Sequence, residues 1–333
     1  MRFEKQKSSI ERVVGVPPEE EEKILRSKAE VFDSQSFNDL KGKEREKTPE
    51  EAQIINLANQ MTNEVRRRYG LDNFDVPPQN IHMIPEDKWP SGDKNTRGFY
   101  ASMLQGVAIQ DEHFSKMSML SIAIHELLHF KSYNALQVVS EEKSGAHQPY
   151  RIGFQTFSRD GKEKYFTELN EAITEELSKR IMLSSRLDLY ENPLFTDEIN
   201  KTDKIYEKYP DVKAKNGTLL FTSDTLYAKA EIPADWKQIF QYLMGKRSPD
   251  ITVAKYVYRK QRRMLNSLMD KIWNKHKDEF KDQEAVFDCF VKAYMTGNLL
   301  PIGRLIEDTF GKGSLRKIAE LDMSEEQKKE KVK

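Results

Sequence analysis

The sequence predicts an α+β fold: a small antiparallel sheet packed beside one buried helix, then a C-terminal region that is mainly α-helical. Three observations carry this. Short runs with strand character cluster between residues 80 and 110. A helical pattern rich in Met, Leu and Ile follows over residues 115–133. Beyond Arg186 the apolar residues fall mainly at helical spacing.

Residues 1–47 read as an N-terminal arm. Pro17-Pro18, four consecutive glutamates and a polar run from Lys41 to Lys47 give it the composition of a solvated, flexible segment. Pro18 at a first helical position, with acids in the first turn, offers the alternative of a short helix reaching Val31. A regulatory or inhibitory arm is the functional version of that segment. Thr48-Pro49-Glu50-Glu51 is a capping box with proline at its first helical position, and it opens the first firm helix. Ile54, Leu57, Ala58, Met61 and Val65 recur at helical spacing, and Gly70 supplies a stop.

Residues 80–84 make a short strand, and residues 98–102 and 105–110 make two more as antiparallel neighbours. After the apolar helix, residues 151–157 and 163–166 flank Asp160-Gly161, a hairpin signal. A further helix spans residues 167–183. Helices over 253–276, 284–295 and 301–310 complete the pattern, with Gly297 and Gly311 where stops are expected. The organisation is thus an arm (1–47), a core (48–195), a helical region (196–323) and a charged tail (324–333).

Lysine plus arginine equals aspartate plus glutamate, at 54 each, so no global field favours nucleic acid or an anionic membrane. The longest apolar stretch, just before His125, is interrupted by Ser118 and Ser121, and no run approaches a membrane span. The charged first residues lack the apolar core of a secretory signal. Cys289 is the single cysteine, which excludes an intrachain disulfide and suits a reducing compartment, with cytoplasm the default. It reads as a small core residue. Lys255, Arg259, Lys260, Arg262 and Arg263 form a basic cluster that reads as a solvated helix face, because no nucleic-acid motif accompanies it.

The chemistry lies in His125-Glu126-Leu127-Leu128-His129. Residues four apart share one face of a helix, so both imidazoles can reach one ion. Glu126 lies about 100° round the helix from His125, where its carboxylate can address a water on that ion. Met119, Leu120, Ile122, Ala123, Ile124, Leu127 and Leu128 make this helix largely buried. Two histidines and a glutamate there are costly without a metal or other partners. Zinc needs a third protein ligand. A metzincin extension would require glycine and histidine where the chain has Ser132 and Ala135, and is excluded.

The next strong helix carries Leu169-Asn170-Glu171-Ala172-Ile173-Thr174-Glu175-Glu176. A buried His-Glu-x-x-His helix followed by a helix with Asn-Glu-Ala and another acid four residues on resembles the gluzincin metallopeptidases, including the thermolysin-like ones. The resemblance covers about residues 98–185. It implies a zincin-like core, with His125 and His129 as zinc ligands and Glu126 as catalytic base. Glu171 would be the third ligand, and Glu175 the acid that orients a ligand histidine. Thermolysin-like proteins usually have aspartate at the last position. The gap from His129 to Glu171 is also about twice theirs, and their downstream oxyanion-stabilising histidine has no counterpart. The superfamily is therefore as far as the resemblance goes. Glu168 and Glu176 remain possible substitutes for Glu171.

Three protein ligands leave the fourth position to water, the arrangement of catalytic zinc. The function expected is that of a zinc metallopeptidase in which Glu126 activates a zinc-bound water against a peptide carbonyl. An oxyanion donor is sought between the two helices among His147, Tyr150, Arg151 and Tyr165, with Tyr150 preferred. In gluzincins the strand before the active-site helix pairs with an extended substrate, which points to residues 105–110 as the substrate-aligning edge. The expected partner is a peptide or protein substrate. A zincin-like regulator acting on one partner and a non-catalytic zinc-binding module are the competing readings. Oligomeric state leaves no mark in the sequence.

Overall fold

The computed structural model describes residues 8–34, 39–90, 96–111, 116–138, 147–199 and 258–321, and its architecture is mixed α+β with two small sheets. Strand β1 (Ile10–Val14) and helix α1 (Pro18–Ser34) come first. Pro18 opens α1 with Glu19, Glu20 and Glu21 in its first turn, where a fixed φ and negative charge both favour helix. Over residues 10–34 a strand and a helix thus stand where a flexible arm was expected, and α1 starts at Pro18 as the short-helix alternative has it. Ile10, Val13 and Ile24 pack with Leu136, while Phe32 enters the main core. A few well-spaced apolar side chains anchor the segment, although its average composition is that of a solvated one. Residues 1–7 and 35–38 lie outside the described residues, as does the charged tail from residue 322.

Helix α2 (Pro49–Arg68) begins in the expected capping box. Thr48 Oγ1 accepts from the Glu51 N–H at 3.2 Å, and the Glu51 carboxylate accepts from the Thr48 N–H at 2.8 Å. Strands β2 (Ile81–Pro85), β3 (Gly98–Ala101) and β4 (Gly106–Asp111) form a sheet in the order β2-β4-β3. β3 and β4 pair antiparallel, with Phe99 opposite Ala108, whereas β2 runs parallel to β4. The sheet is therefore mixed, not antiparallel.

A second correction follows from the order of strands. β4 is central, with Val107, Ala108 and Ile109 paired on both sides, so the expected run of residues 105–110 is not a substrate-aligning edge. Val107 and Ile109 face the main core while Ala108 packs in a separate cluster on the opposite face. A strand buried on both faces reads as a continuous apolar run, as this one does.

Helix α3 (Lys116–Lys131) is apolar almost all round, the pattern of a core helix. The Glu198 carboxylate accepts from the Lys116 and Met117 N–H groups at its N-terminus, satisfying donors that would otherwise be orphaned. Strands β5 (Asn134–Val138), β6 (His147–Ile152), β7 (Gln155–Phe157) and β8 (Lys164–Tyr165) join β1 in the order β1-β5-β6-β7-β8. Asp160-Gly161 lies in the turn between β7 and β8, with Gly161 at φ +72°.

Helices α4 (Thr167–Ser184) and α5 (Arg186–Glu191) follow. Beyond them are α6 (Arg259–Lys275), α7 (Gln283–Thr296), α8 (Leu300–Phe310) and α9 (Ser314–Ala319). The part of the expected 253–276 helix before Tyr258 lies outside the described residues. Gly297, at φ +76°, ends α7. Leu265, Met269, Phe287, Phe290 and Tyr294 from these helices share one hydrophobic core with α2, α3 and α4. No helix among the described residues is long and apolar enough to cross a membrane.

Candidate metal centre

Helix α3 puts His125 and His129 one turn apart on one face, with their Nε2 atoms 3.2 Å apart. Helix α4 packs beside α3 and brings Glu171 to the same point. Glu171 Oε2 is 3.3 Å from His125 Nε2, and Glu171 Oε1 is 3.5 Å from His129 Nε2. Among the described residues these three form the group that could hold a metal ion. Ligand atoms about 2.0–2.1 Å from a tetrahedral ion stand about 3.3–3.4 Å from one another, close to the separations here. Two imidazoles and a carboxylate are a donor set that suits zinc.

Glu175, one turn beyond Glu171, places Oε2 2.9 Å from His125 Nδ1. Glu168 is not in the convergent group, and Glu176 is committed elsewhere. Its carboxylate meets Arg262 at 3.0 Å, Arg180 at 3.1 Å and Lys179 at 3.5 Å. Arg262 is thus a buried exception in the basic cluster read as a solvated face. The remaining described members, Arg259, Lys260 and Arg263, are exposed, and Lys255 lies outside the described residues.

Burial opposes a proton on His125, but hydrogen bonds to Glu171 and Glu175 and the charge of Glu126 outweigh it. The pKa of His125 is raised well above the usual imidazole value. The carboxylates that draw a proton there would draw a divalent cation in its place. Burial also disfavours the charged form of Glu171, but the two histidines hold its pKa well below the usual range. Glu126 behaves oppositely: burial raises its pKa, and the same histidines offset this only in part.

Strand β3 passes directly beside Glu126. A Cβ added to Gly98 would lie 2.9 Å from Glu126 Cγ and Oε1 and 3.0 Å from Ile122. Glycine there lets the strand backbone approach the carboxylate closely.

Of the four residues considered as oxyanion donors, none is in this cluster. Tyr150 lies on β6 near Tyr133 and Arg151. Arg151 donates to the Gly153 and Gly297 carbonyls and ties the sheet to α7. His147 pairs opposite Val138, and the Tyr165 hydroxyl donates to Glu163. A different tyrosine, Tyr258, meets the cluster: its ring stacks on His125 at a centroid distance of 5.8 Å and an angle of 14°. Burial and the charge of Glu171 raise the pKa of the Tyr258 hydroxyl. Tyr294 on α7 also enters the site, with Oη 3.4 Å from His129 Nδ1. Both tyrosines come from beyond the two metal helices, and no local sequence signal marks either. Comparison with protein-family models, curated proteins and solved structures finds no match for this chain.

Proposed function

We propose that this protein is a zinc-dependent metallopeptidase with gluzincin-like chemistry, cleaving peptide or protein substrates. The observation that carries the reading is the convergence of His125, His129 and Glu171 on one point, with Glu126 buried beside them and outside the group. Zinc bound there would lower the pKa of a water to about 7 and polarise the scissile carbonyl. Glu126 takes the proton of the attacking water, a task suited to a carboxyl whose pKa burial has raised. It then passes that proton to the leaving amine.

Tyr258 supplies the donor for the oxyanion. Its ring stacks on His125, and the charge of Glu171 acts on its hydroxyl. An extended substrate pairs with β3, which ends its sheet among the described residues and runs past Glu126.

Cleavage of casein by parent and variant proteins tests this reading. Glu126→Gln should leave zinc content nearly unchanged and lower the rate ~10²–10⁴-fold. A Glu126→Gln protein that cleaves as fast as its parent overturns the mechanism. Zinc binding without cleavage by the parent would favour a metal-stabilised scaffold or a protein with one specific partner.

A further inference from the structure

We infer that Arg262 and Glu176 are positioning residues: their buried ion pair fixes the first turn of α6 so that Tyr258 stays over His125. The inference rests on the function proposed above, in which Tyr258 donates to the oxyanion.

The start of α6 lacks the devices by which a helix end holds itself. Tyr258 is the N-cap residue, and its side chain makes no capping hydrogen bond. No acid stands in the first turn, whereas Arg259, Lys260, Arg262 and Arg263 in and beside it set positive charge against the helix dipole. Tyr258 also has φ +55°, in the left-handed region that a residue with a Cβ disfavours. Such a backbone persists only where its surroundings fix it. The apolar residues that seat α6 in the core, Leu265, Met269 and Ile272, begin further along the helix.

Arg262 supplies the connection, because it reaches both ways. Its N–H donates to the Tyr258 carbonyl at 2.9 Å and closes the first turn. Its side chain turns inward, where Nε donates to Glu176 Oε2 at 3.0 Å and both residues are buried. Glu176 is held from its other side as well. Its Oε1 accepts from Arg180 Nε at 3.1 Å, and Lys179 Nζ lies 3.5 Å from the same oxygen. Arg180 in turn pairs with Glu284 on α7 and lies 3.8 Å from the centre of the Phe287 ring. Burial opposes charge on Glu176, but Lys179, Arg180 and Arg262 outweigh it and hold its pKa below the usual value.

Glu176 belongs to α4, the helix that also carries Glu171 and Glu175. The ion pair therefore sets Tyr258 relative to the same rigid element that presents the Glu171 carboxylate. A buried ion pair contributes direction more than net stability, since its bonds hold in one geometry. The core contacts of α6 lie elsewhere, so loss of the pair loosens its first turn and leaves the helix seated.

Arg262→Met in the full chain tests this. The substitution keeps an apolar stem and leaves Glu176 with Arg180 and Lys179, so no buried carboxylate is stranded. Zinc content should match the parent, and kcat on casein should fall about 10–100-fold. In a Tyr258→Phe background the same substitution should change kcat by less than about twofold, because the hydroxyl it positions is gone. A second readout needs neither metal nor turnover. In metal-free protein carrying isotope-labelled histidine, the Tyr258 ring shifts the His125 ring resonance, and Arg262→Met should move that resonance toward its position in Tyr258→Ala. A third needs no variant to fold: the Arg262 Nε–H of the parent should exchange slowly with solvent. Equal losses of kcat in the two backgrounds, full activity in Arg262→Met, or a His125 resonance unmoved from its parent position overturns the inference alone. So does a fast-exchanging Arg262 Nε–H. Full activity in Tyr258→Phe removes the oxyanion role of Tyr258, and the inference with it.

Discussion

Glu126 and Glu171 are carboxyl groups beside the same two imidazoles, and their surroundings drive them apart. Glu171 hydrogen-bonds His125 and lies 3.5 Å from His129, and the two histidines keep it ionised, as a ligand would have to be. Glu126 is buried without such bonds, and its pKa rises toward the range of a general base. Tyr258 completes the set in the proposed mechanism. Tyr258→Phe should retain zinc and lower kcat ~10²–10³-fold, the usual cost of one oxyanion donor. Tyr150→Phe should leave kinetics unchanged, and the reverse outcome would restore Tyr150 to the site. Lys131, at the end of α3, gives a separate test of the packing. Burial among Asn59, Asn63 and the Phe74 ring pulls its pKa down from 10.5 to about 7. Between those two pH values the unfolded chain binds more protons at this residue than the native one, so native stability rises with pH. Lys131→Met removes that contribution. Its stability relative to the parent, from denaturant melts of metal-free protein, should be greatest near about pH 7 and decline toward about pH 10. A difference that does not vary with pH would mean that the buried ammonium is unperturbed.

The elements divide by how local their causes are. The α2 capping box, the α3 and α4 patterns, the Asp160-Gly161 turn and the Gly297 stop each depend on residues within a turn or two of one another, and all are legible in the sequence. Strand order is not. Nothing within residues 105–110 says that β2 and β3 will both pair with β4, because pairing partners lie outside the strand. The same holds for β1, whose partner β5 follows α3. The edge role therefore passes from β4 to β3, and Gly98 tests it. Gly98→Ala would press a methyl group against Glu126 and Ile122. Either β3 or the carboxylate must shift, and misplacement on that scale should lower kcat/KM about 10–100-fold with zinc content unchanged. Full activity in Gly98→Ala would separate β3 from the reacting centre.

At the scale of the molecule, the site is assembled from four places in the chain. Helices α3 and α4 supply the converging group, and the sequence names all three of its members through their spacing and the Asn-Glu-Ala context. The tyrosines arrive from α7 and from the residue before α6, through contacts that no periodicity encodes. Glu176 accounts for part of that assembly. It lies one residue past Glu175 on α4 and pairs with Arg262, one turn into α6 from Tyr258. One helix thus carries the Glu171 carboxylate, the partner of His125 and the anchor of the helix that presents Tyr258. In sequence, Arg262 is indistinguishable from its exposed neighbours, because burial is set by what packs on α6 and not by α6 itself.

Metal content tests the central claim most directly. Parent, Glu126→Gln and His129→Ala proteins, purified in parallel and equilibrated with zinc, would be assayed by elemental analysis after removal of free metal. The account expects about one zinc per chain in the parent and in Glu126→Gln, and little in His129→Ala, which lacks a ligand. A parent without zinc, or a His129→Ala protein that holds as much as its parent, would contradict it.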